Sequence, residues 1–227
     1  MRPFSDRLAE ACRTKGSPLC VGLDPHLEQL PEPLLQNAKS TTSAARAAEA
    51  VSFGIIEAVA PVAAALKVNI AFYERLGVPG MRAYSKTLKR ARKAGLLVIA
   101  DVKRGDIGST AQAYAEAHLG RKAFFADAVT LNPMLGSDAM APFLEAAKKG
   151  SGLFVLLRTS NPGAADFQGD LSDPACLTWK IAEKLRAWGQ EAMGRSGWSS
   201  VGAVVGATKG EEIRLLRCGA RTLETSS

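Results

Sequence analysis

The chain has 227 residues, a formal net charge of +7 and 47% hydrophobic residues, enough apolar material for one substantial core. Ordinary glycine and proline counts (Gly 21, Pro 11), with no repeating period and no apolar run of bilayer length, exclude a disordered chain, a solenoid and a membrane span. The opening Met1-Arg2-Pro3-Phe4-Ser5-Asp6-Arg7 lacks the apolar h-region of a secretory signal, so a soluble, cytoplasmic protein is expected.

Phe4, Leu8, Ala11 and Cys12 recur at helical spacing. Beyond them, short apolar runs at 19–23, 65–69, 96–102, 128–132, 153–158 and 201–207 read as strands, each ending in polar or glycine-rich sequence. Between and after them, helical patterns cover 43–59, 81–94, 109–117, 137–148, 177–193 and 210–217. Thr42 or Ser43 is placed to cap the first of these and Ser137 the fourth, while Gly95 and Gly150 stand just past helix ends, where positive φ is often needed. Strand and helix alternate without a linker, which predicts βα units around a parallel sheet. The G-x-G-x-x-G turn of a dinucleotide-binding sheet is absent, so a (β/α)8 barrel is the favoured architecture. Residues 1–217 are expected to form a single barrel domain and 218–227 an irregular tail.

Cys12, Cys20, Cys176 and Cys218 are scattered without a C-x-x-C pair, which argues against a zinc ribbon, a redox dithiol or a disulfide framework. With only His26 and His118 present, a histidine-rich metal site is unavailable, and acid–base chemistry falls to Asp, Glu, Lys or Tyr. The excess positive charge suits a phosphate ester, nucleic acid or a membrane surface. The basic run Lys86-Thr87-Leu88-Lys89-Arg90-Ala91-Arg92-Lys93 leaves Leu88 and Ala91 on one face, however, and so predicts a solvated helix surface; neither a nucleic-acid nor a membrane partner is expected.

The most informative stretch is Leu96-Leu97-Val98-Ile99-Ala100-Asp101-Val102-Lys103-Arg104-Gly105-Asp106, where an apolar run ends in two carboxylates bracketing an amine. Two apart on a strand, Asp101 and Lys103 point the same way, with Asp106 on the following loop. Alone, such a pattern is as well explained by an incidental ion pair at a turn. In a barrel, functional groups gather at the C-terminal ends of strands, and polar residues recur at those ends here: Asp24, Lys67 with Asn69, Asp101 with Lys103, Asn132, and Thr159 with Ser160. Two carboxylates and two amines can then share one mouth.

In order along the chain, from about Phe4 to Gly210, the segments Cys20-Val21-Gly22-Leu23-Asp24-Pro25, Lys67-Val68-Asn69-Ile70-Ala71-Phe72-Tyr73-Glu74, Asp101-Val102-Lys103-Arg104-Gly105-Asp106-Ile107-Gly108-Ser109-Thr110, Leu131-Asn132-Pro133-Met134-Leu135-Gly136, Arg158-Thr159-Ser160-Asn161-Pro162 and Val204-Val205-Gly206-Ala207-Thr208 together resemble the orotidine 5'-phosphate decarboxylase family, specifically its longer-chain bacterial subfamily. The resemblance implies cofactor-free decarboxylation of orotidine 5'-monophosphate to UMP in pyrimidine synthesis, by a homodimeric barrel. Losing CO2 from the pyrimidine leaves a localised carbanion without an electron sink, so the reaction calls for a preorganised cation beside that carbon and then a proton. By the resemblance, Lys103 supplies both, Lys67 and Asp101 complete a charge network with it, and Asp101 sits near the departing carboxylate. Asp106, with Ile107 and Thr110, would complete the partner's site; Asp24 and Asn69 would bind ribose hydroxyls; Thr159 or Ser160 would hydrogen-bond the pyrimidine, although plain turn chemistry before Asn161-Pro162-Gly163 explains the last pair equally well.

After Ala207 the family continues with two further strands, one followed by a Pro-Gly-x-Gly-Ala-Gln-Gly-Gly lid and the last leading to phosphate contacts; here 218–227 has no such run. The expectation is a truncated barrel lacking its last two strands, with open sheet edges, a tendency to aggregate and weak or no turnover. Two rival readings remain: a Mg²⁺-dependent sugar-phosphate decarboxylase or epimerase of the same barrel group, which would want a metal-binding carboxylate where Lys67 and Asn69 stand, and an inactive remnant of the fold.

Overall fold

The computed structural model describes residues 1–36 and 38–222. Six strands, β1 (Cys20–Leu23), β2 (Ala65–Asn69), β3 (Leu97–Arg104), β4 (Ala128–Leu131), β5 (Gly152–Arg158) and β6 (Val201–Val205), pair in parallel and in chain order into one half-barrel sheet. Among the described residues ten α-helices accompany them: α1 (Phe4–Lys15), α2 (Glu32–Leu35), α3 (Thr41–Val59), α4 (Ala71–Glu74), α5 (Gly77–Lys93), α6 (Gly108–Leu119), α7 (Ser137–Lys148), α8 (Ala165–Gln168), α9 (Leu177–Gln190) and α10 (Gly210–Thr222). This is the (β/α)8 barrel plan, of which the described residues form six strands. Among the described residues β1 and β6 are the open edges of the sheet.

Alternation along each strand divides the core. Leu66, Val68, Val98, Ala100, Val129 and Leu131 point outward into the layer packed against the helices. Ala65, Ile99 and Ala128 point inward, where Phe4 of α1 closes the N-terminal end of the sheet. The Phe4 ring lies edge-on to Phe154, 5.9 Å between centroids, and over Gly152, where an added Cβ would come within 2.3 Å of it. Helix α1 is fastened there by polar contacts. Asp6 accepts the backbone N–H groups of Arg195 (3.2 Å) and Ser196 (2.8 Å), Arg7 pairs with Asp127, and the other Asp127 oxygen accepts the Val98 N–H at 3.0 Å.

Gly95 and Gly150 take the expected positive φ, 81° and 104°. Both cap assignments are corrected. Helix α3 begins two residues early with Ser40 as N-cap: its hydroxyl accepts the Ser43 N–H at 3.1 Å while the Ser43 hydroxyl accepts the Ser40 N–H at 2.9 Å. Four consecutive hydroxyl residues offer several caps, and only Ser40 has the extended backbone the position requires. Ser137 is the first residue of α7 rather than its cap; Gly136, at φ 93°, precedes it because the turn there needs a left-handed residue. The expected irregular tail is also corrected at its start: α10 runs on through 218–222, since no proline interrupts it, and 223–227 lie outside the described residues.

Truncating the plug should therefore be costly. Phe4→Ala is expected to lower stability by about 3–5 kcal/mol, as for a fully buried aromatic, read as a shift of the urea midpoint at unchanged slope.

Candidate active site

At the C-terminal ends of β2, β3 and β4 a single buried carboxylate gathers three donors. Asp101, 5% exposed, accepts Lys67 Nζ on Oδ2 at 2.7 Å, and on Oδ1 both Lys103 Nζ at 2.6 Å and the Thr130 hydroxyl at 2.8 Å. Asp101 and Asn69 are register partners across β2 and β3, so Lys67, two residues before Asn69, lies one pleat below on the same face. Burial pushes the Asp101 carboxyl up, but the hydrogen bonds from Lys103 and Lys67 outweigh it and hold the group below its ordinary range. The amines are less enclosed: the Lys67 side chain is 35% exposed and that of Lys103 48%.

Strand β3 does not stop at Val102 as the apolar run suggests. It continues to Arg104 through a register shift between Ala100 and Arg104, and Lys103 adopts φ 45°, a left-handed conformation uncommon for a side chain of this size. The next residue but one, Gly105, lies so close to the Asn132 carbonyl that an added Cβ would approach it to 2.7 Å.

The other expected residues take distinct places. Asn69 donates to Asp24 at 3.2 Å, a polar pair at the mouth between β1 and β2. Lys103, Asn132 and Thr159 line a cleft of about 540 Å³, with Leu156, Phe167 and Gln168 on its other sides. Asn132 accepts the Met134 N–H at 3.1 Å, an Asx turn past the end of β4. The Thr159 hydroxyl donates to Asn161 at 2.7 Å and accepts from Gln168 at 2.7 Å, so turn chemistry occupies it; Ser160 is exposed beside Gly206. Asp106 accepts the Ile107 N–H at 2.8 Å and pairs with neither lysine, while Ile107 and Thr110 are exposed next to it. A larger groove, about 740 Å³ between α6 and α7, lies away from this charge network.

His118 is buried beside Phe124, and burial, aided by the charge of Arg104, pushes it down to about 4, so it is neutral at physiological pH. Among the described residues no group of three His, Cys, Asp or Glu side chains is placed to hold a metal ion, and no helix is long and apolar enough to cross a membrane. The residue that sequence reasoning missed is Thr130. Its only signal is a hydroxyl inside the apolar strand Ala128-Val129-Thr130-Leu131.

Comparison with known proteins agrees with this architecture. Residues 17–226 match the family model described as the orotidine 5'-phosphate decarboxylase / HUMPS family. An orotidine 5'-phosphate decarboxylase from Rhodopirellula baltica is 41% identical over 225 residues, covering 96% of this chain and 74% of the relative. One from Clostridium botulinum is 44% identical over 208 residues, covering 91% and 72%. The structure of Leishmania donovani OMP decarboxylase superposes with a TM-score of 0.76 at 34% identity, over 96% of this chain and 76% of the other. The chain belongs to the orotidine 5'-phosphate decarboxylase / HUMPS family.

The depressed Asp101 pKa makes a pH-dependent prediction. The folded value lies below the ordinary 3.8, so its stabilisation is fully present above that value and is lost as pH falls through the folded pKa. Asp101→Asn should thus be less stable than the parent at neutral pH, with the gap narrowing below about pH 4 in urea unfolding measured over that range.

Proposed function

We propose that this chain decarboxylates orotidine 5'-monophosphate to UMP without a cofactor, as the last step of pyrimidine synthesis. The observation that carries the reading is one buried carboxylate holding two lysine ammonium groups, one of which opens onto a cleft. The bond between the pyrimidine ring and its carboxylate breaks, CO2 leaves, and the electron pair stays on the ring carbon. The Lys103 ammonium stabilises that charge and then delivers its proton to the same carbon. Asp101 and Lys67 hold Lys103 in place before the charge develops, so little reorganisation accompanies the step.

In the same reading Asp24 and Asn69 take the ribose hydroxyls, their mutual hydrogen bond giving way to the sugar, and Thr159 or Ser160 meets the pyrimidine along the cleft that Asn132 lines. Asp106, unpaired with its own chain's lysines and flanked by Ile107 and Thr110, would serve the site of a second copy in a homodimer. The cytoplasm is the matching compartment. Sugar-phosphate chemistry with Mg²⁺ is not favoured, because Lys67 and Asn69 occupy the positions where a metal carboxylate would be wanted, and Lys67 is committed to Asp101.

The test is the ultraviolet absorbance decay of orotidine 5'-monophosphate in metal-free buffer. Lys103→Ala is expected to lose about 10²–10⁴-fold in turnover relative to the parent chain. Equal rates in the two proteins would reject Lys103 as proton donor. Mixing inactive Lys103→Ala with inactive Asp106→Ala should restore activity if Asp106 acts across a dimer, since one site of each mixed pair then carries neither lesion; no recovery would confine Asp106 to its own subunit.

A further inference from the structure

The hydroxyl of Thr130 is fully used. It donates to Asp101 Oδ1 at 2.8 Å and accepts the backbone N–H groups of Val102 at 2.9 Å and Lys103 at 3.0 Å. A threonine hydroxyl has one proton and two lone pairs, so with both lone pairs occupied by N–H groups its proton points at Asp101. The residue is 3% exposed.

Those two N–H groups belong to the register shift in β3, where the ladder to β4 is interrupted between Ala100 and Arg104. A bulge leaves backbone groups unpaired, and buried N–H groups need an acceptor. Thr130 supplies it from the neighbouring strand. Lys103 is also the residue at φ 45°, a conformation that persists only where its surroundings over-determine it. One oxygen therefore fixes the backbone from which the Lys103 side chain springs and the carboxylate oxygen on which its ammonium rests at 2.6 Å.

We infer that Thr130 is a positioning residue for the Lys103 ammonium, acting on it from both ends: through the Lys103 N–H and through Asp101 Oδ1. It touches no reacting atom. The inference rests on the decarboxylase reading for its kinetic consequence, but its geometric content stands apart from it. Because substrate binding falls to other residues, removing the hydroxyl should affect the chemical step more than affinity.

Thr130→Val keeps the shape and removes the hydroxyl, whereas Thr130→Ser keeps the hydroxyl. Two readouts in the chain as it stands, backbone amide exchange by NMR and steady-state kinetics on orotidine 5'-monophosphate, separate the claims. In Thr130→Val the Val102 and Lys103 amides should exchange markedly faster while those elsewhere in β3 and β4 do not. Turnover should fall about 10²-fold, the scale of a small misplacement of a catalytic group, with KM nearly unchanged. Thr130→Ser should restore both. Unchanged protection of the two amides, a loss confined to KM, or failure of serine to rescue would overturn the inference. If Thr130→Val does not fold, serine carries the test: parent-like exchange and turnover support the inference, and loss of either overturns it. A parent chain that consumes no substrate would refute the decarboxylase reading alone, and the amide exchange would still decide the positioning role.

Discussion

Everything at the mouth of this barrel depends on burying one carboxylate and paying for it with two amines. Taking Asp101 out of water costs several kcal/mol by itself, and a single surface ion pair would not offset that. Two short hydrogen bonds from Lys67 and Lys103, with a third from Thr130, do. The enclosure is lopsided: the carboxylate is buried, but both lysines reach it from partly solvated positions, so neither ammonium bears the full desolvation cost. One negative and two positive charges leave a local surplus of one positive charge, fixed before any substrate arrives. A reaction that generates negative charge at carbon is the chemistry such a surplus serves.

Holding that arrangement places demands on the backbone. Lys103 takes a left-handed conformation within β3, and past Arg104 the chain comes within contact of the Asn132 carbonyl, with room only for a glycine at 105. The dipeptide after the lysine is thus shaped by β4. The stretch from Asp101 to Asp106 combines a charge motif with a steric one, and its glycine follows from a close approach rather than from flexibility.

The architecture was legible because each strand is a short apolar run of its own, bounded by turn residues. The order β1 to β6 follows directly, and the polar residues terminating those runs, Asp24, Lys67, Asn69, Asp101 and Lys103, do meet at one end of the sheet. Details set by tertiary contact were not legible. Nothing local distinguishes Ser40 from the hydroxyl residues after it as the cap of α3; the choice belongs to the backbone entering the helix. Thr130 looks like an ordinary β-branched strand residue until the bulge in β3, 28 positions away from it at Val102, brings two orphaned N–H groups to its side chain. At Thr159 the sequence leaves a ligand contact and plain turn chemistry equally open; within the chain its hydroxyl donates to Asn161 and accepts from Gln168.

The fastening of α1 bears on how the chain assembles. Helix α1 is held by partners far along the chain: Asp6 takes the N–H groups of Arg195 and Ser196, 189 and 190 positions downstream, and the Ser5 N–H donates to the Ser200 hydroxyl at a separation of 195. Closing so long a loop is slow, and until it closes the polar fastening of α1 is incomplete. During synthesis the inner face of β2, β3 and β4 must form before its lid can lock, leaving Ala65, Ile99 and Ala128 open to other chains for much of that interval. The docking of α1 is a long-range event in sequence, and a chain that has not yet made it leaves that inner face uncovered.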